Sequence, residues 1–255
     1  PETATDLPLF WSPQDDGLWP HLTVQHHIEF VLPSQSQLDR SSVEWLELFS
    51  LEELQHVLPD SLSQGERSRL AIARSLASEA AVLVLDEPLV HVDPLHAHRC
   101  WQIIAEHIDR CGTTVVFSTH DPDAVLKFAQ NVVCLDKGII AFAGAVNELY
   151  FDPPSKELAW LLGPCNWLGY DDVDGVEACA GIRRPDVCVR PSNLTLVQDS
   201  NARFVVESFL NAAVITEVKL RERESERRLT VFLSQRCDDV AIGDSVRFVV
   251  DPVLH

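Results

Sequence analysis

Residues 62–77 read LSQGERSRLAIARSLA and residues 82–88 read VLVLDEP, and these two stretches decide the fold class. In the first stretch, Ser63 and Glu66 have the S-x-x-E spacing of a capping box, which begins a helix. The second stretch is an unbroken apolar run, typical of a strand buried on both faces in a parallel sheet. It ends in Asp86 and Glu87, so two acids are expected at the carboxyl end of a buried strand.

A second buried strand is predicted at residues 113–117, TTVVF. Between the two strands, DPLHAHRCWQIIAEHIDRCG (93–112) predicts a helix, with Pro94 in its first turn and Gly112 after its end. Four apolar residues of this segment fall near helical spacing: Leu95, Trp101, Ile104 and Ile108. The order strand, helix, strand predicts a βαβ unit in a parallel α/β sheet.

His120 follows the second strand as directly as Asp86 and Glu87 follow the first. Because ligands of open α/β sheets bind at the carboxyl ends of the strands, these side chains are expected on one rim. There one acid can hold Mg²⁺ through water, a second can deprotonate an attacking water, and a histidine can contact a phosphate oxygen. Taken alone, the same residues also fit ordinary polar strand ends.

The rest of the chain divides into a helical part and a β part. Residues 20–80 are predicted to be mostly helical, including one helix over residues 41–58. A segment rich in Gly, Pro and Asp begins at residue 163 and predicts a linker. Short alternating segments then predict a small all-β domain: residues 203–210, 212–220, 228–234 and 245–251.

The composition limits the classes of partner. The 255 residues carry a formal net charge of −19, which argues against free nucleic acid and against an anionic membrane surface. The apolar run at residues 80–85 is far too short to span a bilayer. The seven cysteines are scattered without C-x-x-C spacing, which favours free thiols in a reducing cytoplasm.

Five motifs occur in one order along the chain: PQDDGLWPHLTV (13–24), LSQGERSRLAIARSLA (62–77), VLVLDEP (82–88), LVHVDP (89–94) and STHD (118–121). In that order they resemble the Q-loop, signature sequence, Walker B strand, D-loop and switch-histidine segment of the nucleotide-binding subunits of ABC transporters. The resemblance covers roughly residues 7–160. It implies a P-loop NTPase-type parallel sheet with a helical subdomain.

The resemblance also implies a role for each motif residue. In the family, the signature binds the γ-phosphate of ATP held by the opposite subunit. This implies an anion site at Ser63, Gln64, Gly65 and Glu66, where free amides and the helix dipole favour negative charge. Catalysis is implied for Glu87 as general base, His120 as γ-phosphate contact and Gln14 as sensor of Mg²⁺ and water. Asp86, with Gln14, is the implied Mg²⁺ partner, and Asp93 is implied in communication across the dimer.

The chain departs from the family pattern in two motifs. Gln64 and Glu66 stand where the family consensus has glycine and glutamine. His91 and Val92 replace small residues of the D-loop. Each departure is a candidate for slowing ATP turnover, and none by itself excludes hydrolysis.

The phosphate-binding P-loop pattern G-x-x-x-x-G-K-[ST] has no match in the chain. None of the four lysines, Lys127, Lys137, Lys156 and Lys219, follows a glycine. Two explanations stay open. The native protein has an additional N-terminal segment that carries the loop, or it lacks the loop and serves as a degenerate partner that lends its signature to a complete subunit.

The β segments resemble a second family feature. DVCVRPSNLTLV (186–197) and the strands after it resemble the OB-like TOBE domain of importer ATPases for oxyanions, ferric iron, polyamines or sugars. An unrelated β-barrel that makes a dimer contact is the alternative. The expected domains are a nucleotide-binding domain over 1–162, a linker over 163–185 and a TOBE-like domain over 186–255.

The resemblance therefore implies an ATP-binding and ATP-hydrolysing subunit of a bacterial ABC importer, with ATP and Mg²⁺ as its ligands. Such a subunit forms a homodimer, or a heterodimer with a second ATPase subunit. It docks on integral membrane permease subunits at the cytoplasmic face and works indirectly with a periplasmic or lipoprotein substrate-binding protein. The rivals are a catalytically degenerate ABC subunit and a DNA-repair-type ABC ATPase, which the lack of long heptad segments and the negative charge disfavour.

Overall fold

The computed structural model describes residues 8–34, 36–169, 172–174, 186–234 and 239–251. They form two compact units that divide between Ala124 and Val125. The first unit contains all five motifs, and the second contains the predicted β segments. The domain boundaries suggested by the sequence, at residues 162 and 185, stay a prediction.

A three-stranded parallel sheet forms the centre of the first unit. Its strands are β1 (Leu9–Ser12), β2 (Val82–Asp86) and β3 (Thr114–Ser118), in the order β1-β2-β3. Helix α4 (Pro94–Cys111) connects β2 to β3, which confirms the predicted βαβ unit. β3 differs from the expectation of burial on both faces, because Val116 is exposed on this edge strand of the described sheet.

The helix α4 begins and ends where the sequence predicts. Asp93 caps its start, Pro94 occupies its first turn, and Gly112 has φ +67° and donates its N–H to the carbonyl of Ile108 at 2.8 Å. Trp101 and Ile104 are buried. Leu95 is 78% exposed and does not belong to the buried face of the helix.

Three further helices pack in the first unit: α1 (Val24–Glu29), α2 (Ser42–Leu48) and α3 (Gln64–Ala77). The single helix predicted over residues 41–58 is wrong, because α2 ends at Leu48. Ser50 there takes a left-handed backbone conformation with φ +54°, and Leu51 donates its N–H back to the carbonyl of Leu46 at 2.9 Å. Two short 3-10 turns, Glu52–Leu54 and Pro59–Ser61, lead to α3.

The second unit is mainly β. Helix α5 (Pro122–Phe128) spans the division between the units, and the elements that follow are β4 (Asn131–Asp136), β5 (Ile139–Ala145), α6 (Val146–Phe151), α7 (Lys156–Leu161), β6 (Asn166–Gly169), β7 (Val173–Asp174), β8 (Asp186–Val189), β9 (Leu194–Gln198), β10 (Phe204–Asn211), β11 (Thr216–Glu222), β12 (Arg228–Leu233) and β13 (Ser245–Val250).

These strands form two antiparallel pairs and one larger sheet. The pairs are β4-β5 and β6-β8, and the larger sheet has the order β12-β11-β10-β13-β7, with β9 also on β13. An apolar core that includes Val218, Leu220 and Phe248 lies in this sheet. The fold is therefore α/β with an additional small β domain, as the sequence predicts.

The described residues can also be searched for membrane-spanning helices and for disulfide bonds. No helix in the described ranges is both long and apolar enough to cross a membrane. The cysteines in those ranges are free thiols, namely Cys100, Cys111, Cys134, Cys165 and Cys188. Cys179 and Cys237 lie outside the described residues.

Two histidines of the first unit are buried. The adjacent pair His26-His27 would by itself suggest a surface position, but His27 is buried: its Nε2 accepts the backbone N–H of Trp19 at 2.9 Å, and its Nδ1 donates to the carbonyl of Thr23 at 2.8 Å. His107 on α4 is buried with its Nε2 at 3.3 Å from the hydroxyl of Thr113. Burial lowers the pKa of both imidazoles, that of His107 to about 4.

We expect the free energy of unfolding to be highest above pH 6.5 and to fall as the pH drops from 6.5 towards 4. Between pH 6.5 and 4 the imidazoles of the unfolded chain bind protons, whereas the buried imidazoles of the folded chain stay neutral. Lowering the pH therefore favours unfolding. The contribution of His107 lost between pH 7.5 and 5 is about 2 kcal/mol. Urea unfolding at the two pH values measures it.

The matched variants are His107→Leu and the exposed His98→Leu. His107→Leu should reduce the difference in unfolding free energy between the two pH values, whereas His98→Leu should leave it unchanged. An unchanged pH difference in His107→Leu would show that this imidazole has the same pKa in the folded and in the unfolded chain.

Candidate functional site

The carboxyl ends of β2 and β3 lie side by side, because the strand register places Asp86 opposite Ser118. The hydroxyl of Ser118 donates to Asp86 Oδ1 at 2.5 Å, and it accepts the backbone N–H of Glu87 at 2.9 Å. Ser118 thus holds both acids at the rim. Sequence reasoning did not single it out, although it is the first residue of STHD and follows an apolar strand.

His120 and Glu87 form a direct pair at the same rim. Nδ1 of His120 lies 3.1 Å from both carboxylate oxygens of Glu87. Since an ionised carboxylate only accepts hydrogen bonds, Nδ1 carries the hydrogen, and Nε2 is the nitrogen left for another partner. The side chain of His120 is 75% exposed and that of Glu87 is 22% exposed, so the histidine is the more solvent-accessible member of the pair.

The backbone at Glu87 is in the left-handed region, with φ +46°. A residue with a side chain adopts this conformation at a cost of order 1–3 kcal/mol, and such residues cluster at functional sites. The hydrogen bond from the Glu87 N–H to Ser118 stabilises the unusual conformation. The turn therefore redirects the chain directly after β2 and places the carboxylate beside His120.

Gln14 lies exposed in the turn that follows β1. Asp16 and Gly17 in this turn both have left-handed backbone conformations, with φ +67° and +54°. A Cβ on Gly17 would lie 2.9 Å from Cγ of Pro13, so the turn requires glycine at that position. The turn is tight, and Gln14 sits within it.

Arg74 of helix α3 holds this turn. The residue is 2% exposed, and its guanidinium donates to the carbonyl of Gly17 at 2.8 Å and to that of Asp16 at 2.9 Å. It also stacks over the ring of Trp19 at 4.7 Å. Burial lowers the pKa of Arg74 to about 10, an effect that Asp16 opposes, so the side chain stays charged at neutral pH.

A second contact joins the same turn to α3. The hydroxyl of Ser68 donates to Asp16 Oδ1 at 3.1 Å. Burial raises the pKa of Asp16, while Ser68 and Arg67 act in the opposite direction. Sequence reasoning missed Asp16 and Arg74. The available signal was a charged residue among apolar ones in LAIARSLA, four positions after Leu70 and so on the same helix face.

The capping box predicted from the sequence is present at the start of α3. Glu66 donates its N–H to the hydroxyl oxygen of Ser63 at 3.3 Å. The carboxylate oxygen Oε2 of Glu66 accepts both the N–H and the O–H of Ser63, each at 2.8 Å. These hydrogen bonds keep the pKa of Glu66 below its usual range.

The signature tip lies against the D-loop of the same chain. A Cβ on Gly65 would lie 3.1 Å from the carbonyl oxygen of His91 and 4.0 Å from Cα of Val92. Glycine at position 65 therefore allows a close backbone approach inside the protomer. Gln64, beside it, is exposed.

Asp93 makes its hydrogen bonds to the first turn of α4, the helix that it caps. Its carboxylate accepts the N–H of His96 at 3.2 Å and lies 2.7 Å from Nδ1 of the same histidine. The bond from the His96 N–H lowers the pKa of Asp93. The D-loop acid is thereby fixed at the start of α4.

The structure brings Asp86, Glu87 and His120 together at one rim, as expected from the sequence, and places the signature beside the D-loop. The functional roles of these residues stay predictions. In the described ranges, no group of three or more His, Cys, Asp or Glu side chains is arranged to hold a metal ion. The rim nevertheless fits Mg²⁺, which in nucleotide sites needs one or two carboxylates and takes its other ligands from phosphates and water.

Comparison with known proteins identifies the same family that the five motifs resemble. Residues 4–90 match the family profile described as ABC transporter. The Fe(3+) ions import ATP-binding protein FbpC of Rhizobium etli is 31% identical over 230 residues, 81% of this chain and 65% of that protein. The sulfate/thiosulfate import ATP-binding protein CysA of Xylella fastidiosa is 29% identical over 255 residues, 92% of this chain and 73% of that protein.

A solved structure of the ATP-binding subunit of an ABC transporter superposes with a TM-score of 0.50 at 21% identity. The match covers 56% of this chain and 60% of that one, and it supports the fold. The chain spans 65% of the length of the Rhizobium relative, just under two thirds. By its motifs, by the family profile and by its sequence relatives, the chain contains an ABC transporter domain.

Proposed function

We propose that the protein is the ATP-binding and ATP-hydrolysing subunit of a bacterial ABC importer. The observation that carries this proposal is the rim of the parallel sheet, where Glu87 pairs with His120 and Ser118 holds Asp86. The relatives are named as import ATP-binding proteins, which supports the same function.

Glu87 is proposed as the general base. Its carboxylate is held at the end of β2 by the turn and accepts the hydrogen of His120 Nδ1. There it can take a proton from a water molecule that attacks the terminal phosphate of ATP. His120 orients the carboxylate through Nδ1 and can contact a phosphate oxygen through Nε2.

Asp86 and Gln14 are the residues proposed to hold Mg²⁺, which neutralises phosphate charge when it is bound with the nucleotide. The hydroxyl of Ser118 fixes the Asp86 carboxylate in place. Gln14 extends from the turn that Arg74 holds on α3. A shift of Gln14 on ATP binding would therefore reach the signature helix through Arg74.

The other half of the site is proposed to come from a second subunit. The amides at the start of α3 form an anion site in principle, with Ser63, Gln64 and Gly65 at its tip. In this arrangement Asp93, fixed at the start of α4, lies near the interface between the subunits. A homodimer, or a heterodimer with a second ATPase subunit, would then bury two ATP molecules.

The names of the relatives support a proposal for the partners and the substrate class. We propose permease subunits as the membrane attachment on the cytoplasmic face, and an inorganic ion as the cargo, since the two relatives are named for Fe(3+) and for sulfate/thiosulfate. The strands after residue 186 are proposed to form the TOBE-like domain of such importers. They include β10, β11 and β12, which pair in antiparallel order.

A catalytically degenerate subunit is the second candidate, favoured by one observation. No Gly-Lys pair occurs in the 255 residues. If the full-length gene product binds no ATP by itself but stimulates hydrolysis by a second ATPase subunit, the degenerate function is correct. Filter binding of radiolabelled ATP to the full-length gene product separates the two.

Replacing Glu87 by glutamine tests the proposed chemistry. Glu87→Gln keeps the side-chain volume but removes the base, so ATP hydrolysis by the full-length gene product should fall by about 10²-fold or more, with ATP binding retained. The control is Glu106→Gln, an exposed acid on α4, which should hydrolyse ATP at the wild-type rate. Undiminished hydrolysis in Glu87→Gln would refute the assignment.

The link from the Gln14 turn to α3 makes a further prediction. Arg74→Lys keeps the charge but loses the planar fork that reaches two carbonyls, so kcat should fall by about ten-fold. Because Arg74 acts through the Gln14 turn, the losses in Arg74→Lys and Gln14→Ala should not add in the double variant.

Steady-state kinetics of the two single variants and the double variant measure this coupling. The exposed Arg99→Lys on α4 is the matched control and should leave kcat unchanged. Fully additive losses would mean that Arg74 acts independently of Gln14, contrary to the proposed link.

A further inference from the structure

We propose that Glu66 competes with the phosphate of ATP for Ser63, so that the signature site is occupied by its own carboxylate until ATP displaces it. This inference rests on the proposed function, in which Ser63 of one subunit binds ATP held by the other. It adds to that site a residue that lowers the affinity for ATP.

The competition follows from the donors that Ser63 has to offer. A serine hydroxyl carries one hydrogen, and here it is donated to Oε2 of Glu66 at 2.8 Å. The backbone N–H of Ser63 is donated to the same oxygen, also at 2.8 Å. Both donors of Ser63 are thus used inside the protomer, and a phosphate oxygen that binds them has to replace the carboxylate.

Charge strengthens the competition. The two hydrogen bonds from Ser63 lower the pKa of Glu66, so the carboxylate is ionised at neutral pH. Its negative charge lies in the first turn of α3, where the helix dipole favours an anion. The helix therefore already has its anion, and a phosphate at the same place is repelled.

The arginines near the start of α3 do not neutralise the carboxylate of Glu66. Arg67 pairs with Asp16 at 3.6 Å. Arg69 lowers the pKa of Glu66 only as a minor influence behind the two bonds from Ser63. The carboxylate is thus held mainly by Ser63 itself, and its displacement frees the two donors that the phosphate needs.

The chain contains a matched control for this geometry. At the start of α2, Glu44 Oε2 accepts the N–H of Ser41 at 2.7 Å and its O–H at 2.8 Å, and Glu44 donates its N–H to Ser41 Oγ at 3.3 Å. This second capping box belongs to none of the five motifs. Replacing each glutamate by glutamine therefore makes the same local change inside and outside the proposed site.

The experiment compares Glu66→Gln and Glu44→Gln in the full-length gene product that also carries Glu87→Gln. Glutamine keeps an oxygen that accepts the Ser63 N–H, so the helix start persists, but it removes the charge. We expect Glu66→Gln to lower the concentration of MgATP needed for half-maximal dimerisation by about ten-fold, because one unit charge close to an anion has been removed. Sedimentation velocity measures the dimer fraction.

Glu44→Gln should leave the ATP-dependent dimerisation unchanged while it changes the melting temperature as much as Glu66→Gln does. With MgADP, which lacks the γ-phosphate, neither variant should tighten association. Equal ATP responses in the two variants, weaker dimerisation in Glu66→Gln, or an equal gain with MgADP would each overturn the inference. Failure of the proposed function is recognised separately, by undiminished hydrolysis in Glu87→Gln alone.

Discussion

The parallel pairing of β2 with β3 is the constraint on which the candidate site depends. Its register places Asp86 opposite Ser118, and one hydroxyl then holds both the Asp86 carboxylate and the Glu87 amide. A slip of the register would separate these groups, and the strained turn at Glu87 would lose its hydrogen bond. The position of His120 follows from the same pairing, because it lies two residues beyond the end of β3.

A second constraint connects this rim to the helices. Arg74 is a buried charge, and hydrogen bonds lower the cost of burying it, although its Nε has no hydrogen-bond partner in the described part of the chain. The carbonyls of Asp16 and Gly17 accept hydrogen bonds from its two terminal nitrogens, and both residues adopt left-handed conformations in the turn. The turn and the arginine therefore stabilise each other, which explains why helix α3 and the Gln14 turn form one structural element.

The parts of the fold that local chemistry determines could be predicted from the sequence. The capping box at Ser63, the helix end at Gly112 and the acids after β2 each depend on a few neighbouring residues. The end of α2 could not be predicted, because Ser50 adopts a left-handed conformation that serine rarely takes. Likewise, His27 is buried by partners at Trp19 and Thr23, which the adjacent pair of histidines does not reveal.

The capping box shows how one sequence signal can serve two purposes that conflict. Glutamate in the first turn stabilises α3 because it accepts donors that would otherwise be unsatisfied at the helix start. The same donors are what an anion site at a helix start has to offer. A helix whose first turn is well capped by its own carboxylate is therefore more stable and, for the same reason, a weaker binder of phosphate. In the proposed competition, Glu66 affects both the stability of α3 and the affinity of the signature site, so a change at this residue should alter both.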